Sequence, residues 1–493
     1  MLRIRFLPLL IIVLCAAFSV SAQFQVRVKF GEIANLTYQL DCVADLPINC
    51  SRENFRELWK KEFLKNEADR RMIKEWTRLR EFYSKGVQLS NENDKNSASI
   101  DLFDKIRIAG WQANDANDYA TRLDLLTIPS DRRMFEAVVR HFQPAFNRWW
   151  QREAAKSGEV FAKQTEALLR SAKIAETMRR IFYFYQPILP ADYEISFNLF
   201  YLPDLVKEPS GGQQLENYSL MEFRPKERPE QRIDVAVHEL SHFFYDSIKP
   251  ESRVKLEKAF QSSTRASAIP AYNLLNEALA AAFGNGIVAR EVTPPADFEE
   301  YVASPGSFYN NPAIDRAAKA VLPLADDWLK NQKTIDDADF AAQYIAALEK
   351  AFGEELLAPK LYLSEMFLLI DAKLGGTIRR DARRILEAAS FYSNEGDLAD
   401  ENIFDEYENQ PRLNALLIVR PESVSKLVAR KIISAAQAQQ VQTEFQSKKS
   451  VLFGTTRAPL TYVYIIGAED AAAASKSMEK LARAKQFQGI YDK

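Results

Sequence analysis

Asp234-Val235-Ala236-Val237-His238-Glu239-Leu240-Ser241-His242-Phe243-Phe244 sets the pattern His-Glu-x-x-His inside an apolar, helix-forming run. Side chains four residues apart stand on one helix face, one turn above each other. Both imidazoles can therefore reach a single tetrahedral metal, with Glu239 beside it as a candidate general base. The sequence contains only three histidines, so finding two of them in this spacing is a specific signal. It points to zinc and to metal-assisted hydrolysis.

Two histidines leave one protein ligand to find. It must come from another element, because the run contains no glycine to turn the chain back toward the metal. Asp246 lies a further turn beyond His242, and a rise of about 5.4 Å per turn carries it away from an ion held between the first two turns. It reads as a solvated or supporting residue. Asp234, one turn before His238, is placed either to orient that imidazole or to serve as an ordinary first-turn acid.

Glu277 is the better third ligand. It stands in Tyr272-Asn273-Leu274-Leu275-Asn276-Glu277-Ala278-Leu279-Ala280-Ala281-Ala282-Phe283-Gly284, which reads as a second helix with Pro270 near its start and Gly284 and Gly286 near its end. A glutamate among Leu and Ala, with no Lys or Arg within a turn, is costly to bury unless a cation neutralises it. The competing reading is an exposed Glu on an amphipathic helix.

Upstream of the motif, Tyr193 to Tyr201 alternates with period two, and Tyr218-Ser219-Leu220-Met221-Glu222-Phe223 follows the Gly211-Gly212 loop. Both read as strands. An edge strand beside a metal helix is able to hold an extended peptide by main-chain hydrogen bonds.

Together, His238-Glu239-x-x-His242 and the downstream Asn276-Glu277-Ala278 resemble the gluzincin metallopeptidases, the thermolysin-like clan whose third zinc ligand is a glutamate. The resemblance covers roughly Tyr193 to Ala289. It implies a zincin-like core, a small mixed sheet with a motif helix and a glutamate helix, in which His238, His242 and Glu277 hold Zn2+ and Glu239 is the catalytic base. The gap from His242 to Glu277 is longer than in thermolysin, and Ala281 stands where thermolysin-like enzymes carry an acid, so the resemblance is to the clan and not to thermolysin proper. Met221-Glu222 distantly resembles the Gly-Ala-Met-Glu-Asn strand of gluzincin aminopeptidases, whose Glu binds a free amino terminus. The simpler account of Glu222 is an outward polar residue on a half-buried strand.

Zinc with three protein ligands keeps a fourth position for water, whose pKa falls toward about 7, and Glu239 accepts a proton as that water attacks a carbonyl. Glu239 then returns the proton to the leaving nitrogen. Negative charge growing on the carbonyl oxygen needs a donor, and with no spare histidine nearby a tyrosine is the natural choice. Tyr309, in Ser307-Phe308-Tyr309-Asn310-Asn311-Pro312, is preferred, with Tyr272 and Tyr245 competing.

At the start of the chain, Arg3 and Arg5, the apolar run Phe6 to Phe18 and Val20-Ser21-Ala22 read as a signal peptide cleaved near Ala22-Gln23, which implies an exported, periplasmic or secreted protein. No later stretch reads as a membrane span. Export would let Cys42 and Cys50 close a small loop, so a structural disulfide is expected. A formal net charge of −2 gives no electrostatic footprint for nucleic acid.

Phe24 to Phe30 alternates like a strand, and from the capping signal Ser51-Arg52-Glu53-Asn54 to about Tyr185 the pattern is mostly helical. Phe135, Val138, Val139, Phe142 and Phe146 make one apolar stripe, and His141 lies off it as an ordinary surface or boundary histidine. Helices are expected again at Asp337 to Ala351 and Leu361 to Leu374, and later at Glu422 to Lys448 and Ala468 to Ala484. Strands are expected at Ala415 to Val419 and Leu460 to Ile466.

The expected fold class is α+β, mostly helical. Its parts are a signal peptide 1–22, a zincin-like metallopeptidase region 23–335 with a helical N-terminal part, a helical extension 336–410 and a small C-terminal α/β module 411–493. The expected function is a zinc-dependent peptidase acting on a peptide or protein substrate. The alternative is an inactive or non-peptidase binding protein on a zincin scaffold.

Overall fold

The structure, a computed structural model, describes residues 25–46, 48, 50–84, 102–190, 193–204, 210–375, 377–388, 390–398, 401–457 and 460–491. The expected signal peptide lies outside the described residues. Helix accounts for 62% of what is described, and the strands form small mixed sheets, which makes the protein α+β and mostly helical. Among the described residues no helix is long and apolar enough to cross a membrane. The chain divides into two compact units, Met1–Ile248 with Ile287–Phe298, and Lys249–Gly286 with Glu299–Lys493.

The first unit opens with β1 (Gln25–Lys29) and α1 (Glu32–Val43). Ten consecutive residues of α1, Ile33 to Cys42, are buried, so its polar side chains must find partners inside the protein. Asn35 accepts from the Tyr201 amide at 2.8 Å and donates to the Leu199 carbonyl at 3.1 Å, which fixes the helix to a strand. Gln39 accepts from the Trp59 indole at 3.0 Å. Asp41 takes the Trp76 indole at 2.8 Å and two bonds from the Arg80 guanidinium at 3.0 and 3.1 Å.

These partners come from α2 (Arg52–Glu62) and α3 (Glu67–Ser84). The helical region thus begins before Ser51. At Ser51 the expected cap does not form, because its hydroxyl bonds elsewhere. In α4 (Pro129–Glu153) the expected apolar stripe, extended by Trp149 and Trp150, is buried throughout.

The sheet of this unit has the order β1-β2-β4-β3, with β2 at Glu194–Tyr201, β3 at Gly212–Leu215 and β4 at Tyr218–Phe223. β1, β2 and β4 are parallel, and β3 pairs antiparallel with β4 as an edge strand. Parallel strands are covered on both faces, and β2 is accordingly buried from Ile195 to Tyr201. Of the Gly211-Gly212 pair, expected as a loop, Gly211 lies just before β3 and Gly212 is its first residue.

The helix α5 (Ile233–Asp246) follows and carries the motif. The expected glutamate helix is divided. Ala268–Asn273 is one short helix, α6 (Leu275–Ala281) carries Glu277, and a π-helical turn runs over Ala282–Val288. Gly284 and Gly286 therefore do not end the helix. At Gly286 a Cβ would meet Leu322 Cδ1 at 2.6 Å, so this glycine permits a close approach.

The second unit ends in a six-stranded sheet of order β10-β8-β9-β7-β5-β6. Its elements in sequence are β5 (Glu365–Asp371), α7 (Ile378–Leu386), β6 (Ser390–Gly396), β7 (Asn414–Val419), α8 (Ala435–Phe445), β8 (Ser450–Arg457), β9 (Thr461–Ala468), α9 (Ala471–Arg483) and β10 (Gly489–Ile490). β6, β5, β7 and β9 are parallel, and the β8–β9 pair and the β8–β10 pair are antiparallel.

Alternate residues of β5 face two cores. Met366, Leu368 and Ile370 pack with α7 and α9, while Phe367 and Leu369 pack with Tyr407, Val424 and Val441. This α/β sheet begins at Glu365, where a helix over Leu361 to Leu374 was expected. A strand buried on both faces is a continuous apolar run with no period to separate it from a buried helix. The expected helical stretch from Glu422 to Lys448 is also broken, into Val424–Ala429 and α8, with Ser434 capping the latter through a bond to the Gln437 amide.

Candidate metal centre

The helix α5 forms because Ile233, Ala236, Val237, Leu240, Phe243 and Phe244 give it a buried apolar face, while Asp234 places an acid in the first turn. That register fixes both motif histidines. His238 is buried and His242 half-buried, and their rings stand 79° apart in plane with centroids at 4.8 Å. The two Nε2 atoms approach to 3.1 Å. Two nitrogens bound at about 2.0–2.1 Å to one tetrahedral ion lie about 3.3 Å apart, so the rings already converge on a shared point.

A carboxylate oxygen of Glu277 joins them. One ligand atom from each of His238, His242 and Glu277 lies within 4.8 Å of the others, the one such group of three or more metal-ligating side chains found among the described residues. Two imidazoles and a carboxylate are a donor set suited to a borderline-soft divalent cation.

Glu239 is half-buried on the same helix. Beside it runs β3. A Cβ placed on Gly212 would meet Glu239 Oε1 at 2.7 Å and Val235 Cγ1 at 2.8 Å. Glycine is what allows this edge strand to approach the carboxylate so closely.

Among the tyrosines, Tyr272 donates to Glu257 at 3.3 Å and packs on Phe260, and Tyr245 lies buried edge-on to Tyr185. Tyr309 is half-buried in the irregular segment before the helix Pro312–Lys330, whose N-cap Asn311 accepts from the Ala313 and Ile314 amides. Asp246 is exposed and Asp234 half-buried. His141 forms a 2.8 Å pair with Asp69, away from any ligand role.

Glu222 is not an outward residue. It is 1% exposed, and its carboxylate accepts from the Tyr38 hydroxyl at 3.0 Å, the Ser51 amide at 3.3 Å, the Ser51 hydroxyl at 2.9 Å and the Gly211 amide at 2.9 Å. Burial pushes its carboxyl pKa up, against the opposing effect of these bonds. A carboxylate enclosed in this way does not present itself to a substrate amino terminus. The sequence signal for this arrangement was the doubled glycine ahead of β4, since paired glycines mark a close backbone approach.

The expected disulfide is not formed in this structure. Cys42 and Cys50 are free thiols, with Cys42 buried on α1 and Cys50 partly exposed. Their side chains are in hydrogen-bond contact, and burial first, then Cys50, push the Cys42 thiol well above its usual pKa.

Comparison with protein-family models, with curated proteins and with solved structures returns no match.

Proposed function

We propose that the protein is an exported zinc-dependent peptidase of gluzincin type with a zincin-like core. The observation that carries this reading is the convergence of His238, His242 and Glu277 within 4.8 Å, with Glu239 on the same helix as the two histidines. When bound, zinc would be held by those three side chains and would supply Lewis acidity toward a carbonyl and a water of lowered pKa.

The remaining steps belong to the chain. Glu239 takes a proton from the attacking water and passes it to the leaving nitrogen, so one carboxylate serves as base and then as acid. Tyr309 is our candidate donor to the oxygen on which charge develops. β3 has one strand partner among the described residues, β4, and its other edge is able to pair with an extended peptide. That edge, next to Glu239, is what favours a peptide over other carbonyl substrates.

The test combines metal analysis with hydrolysis of a quenched-fluorescence peptide library by the full mature chain. The expected result is about one zinc per chain, with Glu239→Gln keeping the metal and losing turnover by roughly 10²- to 10⁴-fold. A fully active Glu239→Gln protein overturns the mechanism. A folded, zinc-loaded protein that cleaves no library member favours the binding-protein reading.

A further inference from the structure

The Glu222 carboxylate is the hub of a buried network whose donors come from three separate parts of the first unit. Tyr38 lies on α1, Ser51 at the start of α2, and Gly211 immediately before β3. Gly211 is held to Glu222 twice, since its amide donates to the carboxylate at 2.9 Å and its carbonyl accepts from the Glu222 amide at 3.0 Å. The next residue is Gly212, the point where β3 comes closest to Glu239 and Val235.

A buried carboxylate is a costly way to tie down a loop, because it must be stripped of water and then supplied with donors. The bonds it makes in return are charge-assisted and geometrically strict. Leu220, two residues back on the same strand, is an apolar side chain of ordinary core type. Packing alone would not call for an acid at position 222.

We propose that Glu222 is a positioning residue for Glu239. Its carboxylate pins Gly211, and Gly212 in turn sets how close edge strand β3 stands to the Glu239 side chain. The two glycines transmit the constraint because neither has a side chain to hold the strand away. Glu239 thus has a wall on its strand side that limits the rotamers it can adopt. This inference rests on the reading of Glu239 as the general base.

Two variants of the full mature chain test it by separate routes. Gly212→Ala adds a methyl that must displace Glu239 or the strand and leaves the Glu222 network in place. Glu222→Gln removes the charge and sets an NH2 group against a backbone N–H of Ser51 or Gly211. The readouts are the carboxyl ¹³C resonance of Glu239, assigned by its absence in Glu239→Gln, hydrogen exchange at the Gly211 amide, zinc content, and kcat with KM.

The expected result is a moved Glu239 resonance in both variants, faster Gly211 exchange in Glu222→Gln, unchanged zinc content, and a fall in kcat of about 10- to 100-fold. An unmoved Glu239 resonance in folded Glu222→Gln overturns the inference, whatever Gly212→Ala does. So does a moved resonance accompanied by unchanged kcat. A wild-type chain without peptidase activity overturns the peptidase reading instead, and the placement of Glu239 by Glu222 then stands or falls on the resonance and the exchange rate. Should Glu222→Gln fail to fold, Glu222→Asp, which keeps the charge but withdraws it from the Gly211 amide, takes its place with the same readouts.

Discussion

The Nε2 atoms of His238 and His242 stand 3.1 Å apart, a separation at which both cannot carry hydrogens. The pair is stable with one proton between the rings or with both lone pairs on one cation. Binding to the folded state alone stabilises it by RT ln(1 + [L]/Kd), about 4 kcal/mol at a thousandfold excess over Kd. Chelation should therefore lower the melting temperature of the wild type, and added zinc should restore it. His238→Ala should bind near-zero zinc and melt at one temperature with or without chelator.

Arg80 and Asp41 form an ion pair with side chains 0% and 5% exposed. Removing one member of a buried pair strands the other, at a cost of about 3–5 kcal/mol. Arg80→Leu should lower the urea midpoint by an amount matching that range. Because the Trp76 indole also bonds to Asp41, the intrinsic fluorescence of the folded variant should change as well.

Asp69 ties the start of α3 to α4 through His141. Burial raises its proton affinity, but bonds from His141 and from the Lys65 and Asn66 amides outweigh that effect, so Asp69 titrates below the usual aspartate range. A depressed folded-state pKa means stability that is fully present above about pH 3.9 and is lost as pH falls through the lower folded value. Melting temperatures from pH 6 to pH 2.5 should show Asp69→Asn below the wild type at pH 6, with the gap closing below about pH 4. A gap independent of pH would exclude this linkage.

Cys42 and Cys50 should differ in reactivity. The thiolate is the reactive form, and burial with a raised pKa keeps it scarce at Cys42. A maleimide added to the native, reduced protein should label Cys50 first and reach Cys42 only after denaturation. Equal labelling rates would show that α1 opens readily at its C-terminal end.

His238 and His242 could be read as neighbours because helical spacing is a local property, and Glu277 stood out because an acid among Leu and Ala needs a counter-charge. β3 was hidden for the opposite reason. Gly212-Gln213-Gln214-Leu215 has no apolar alternation, and only pairing with β4 makes it a strand. The run from Met366 to Ile370 was ambiguous because both its faces are buried. Glu222 was misplaced because its donors, Tyr38 and Ser51, lie 184 and 171 residues away in the chain.

β1 pairs with β2 in a register that sets Gln25 opposite Glu194. A chain emerging from its N-terminus must hold this strand unpaired until about 170 further residues have appeared, while the helices between them close over short loops. The first sheet is therefore completed late. Its half-made edge marks the interval in which the protein is most open to pairing with another chain, so mispairing during synthesis of the first unit concentrates at Gln25–Lys29.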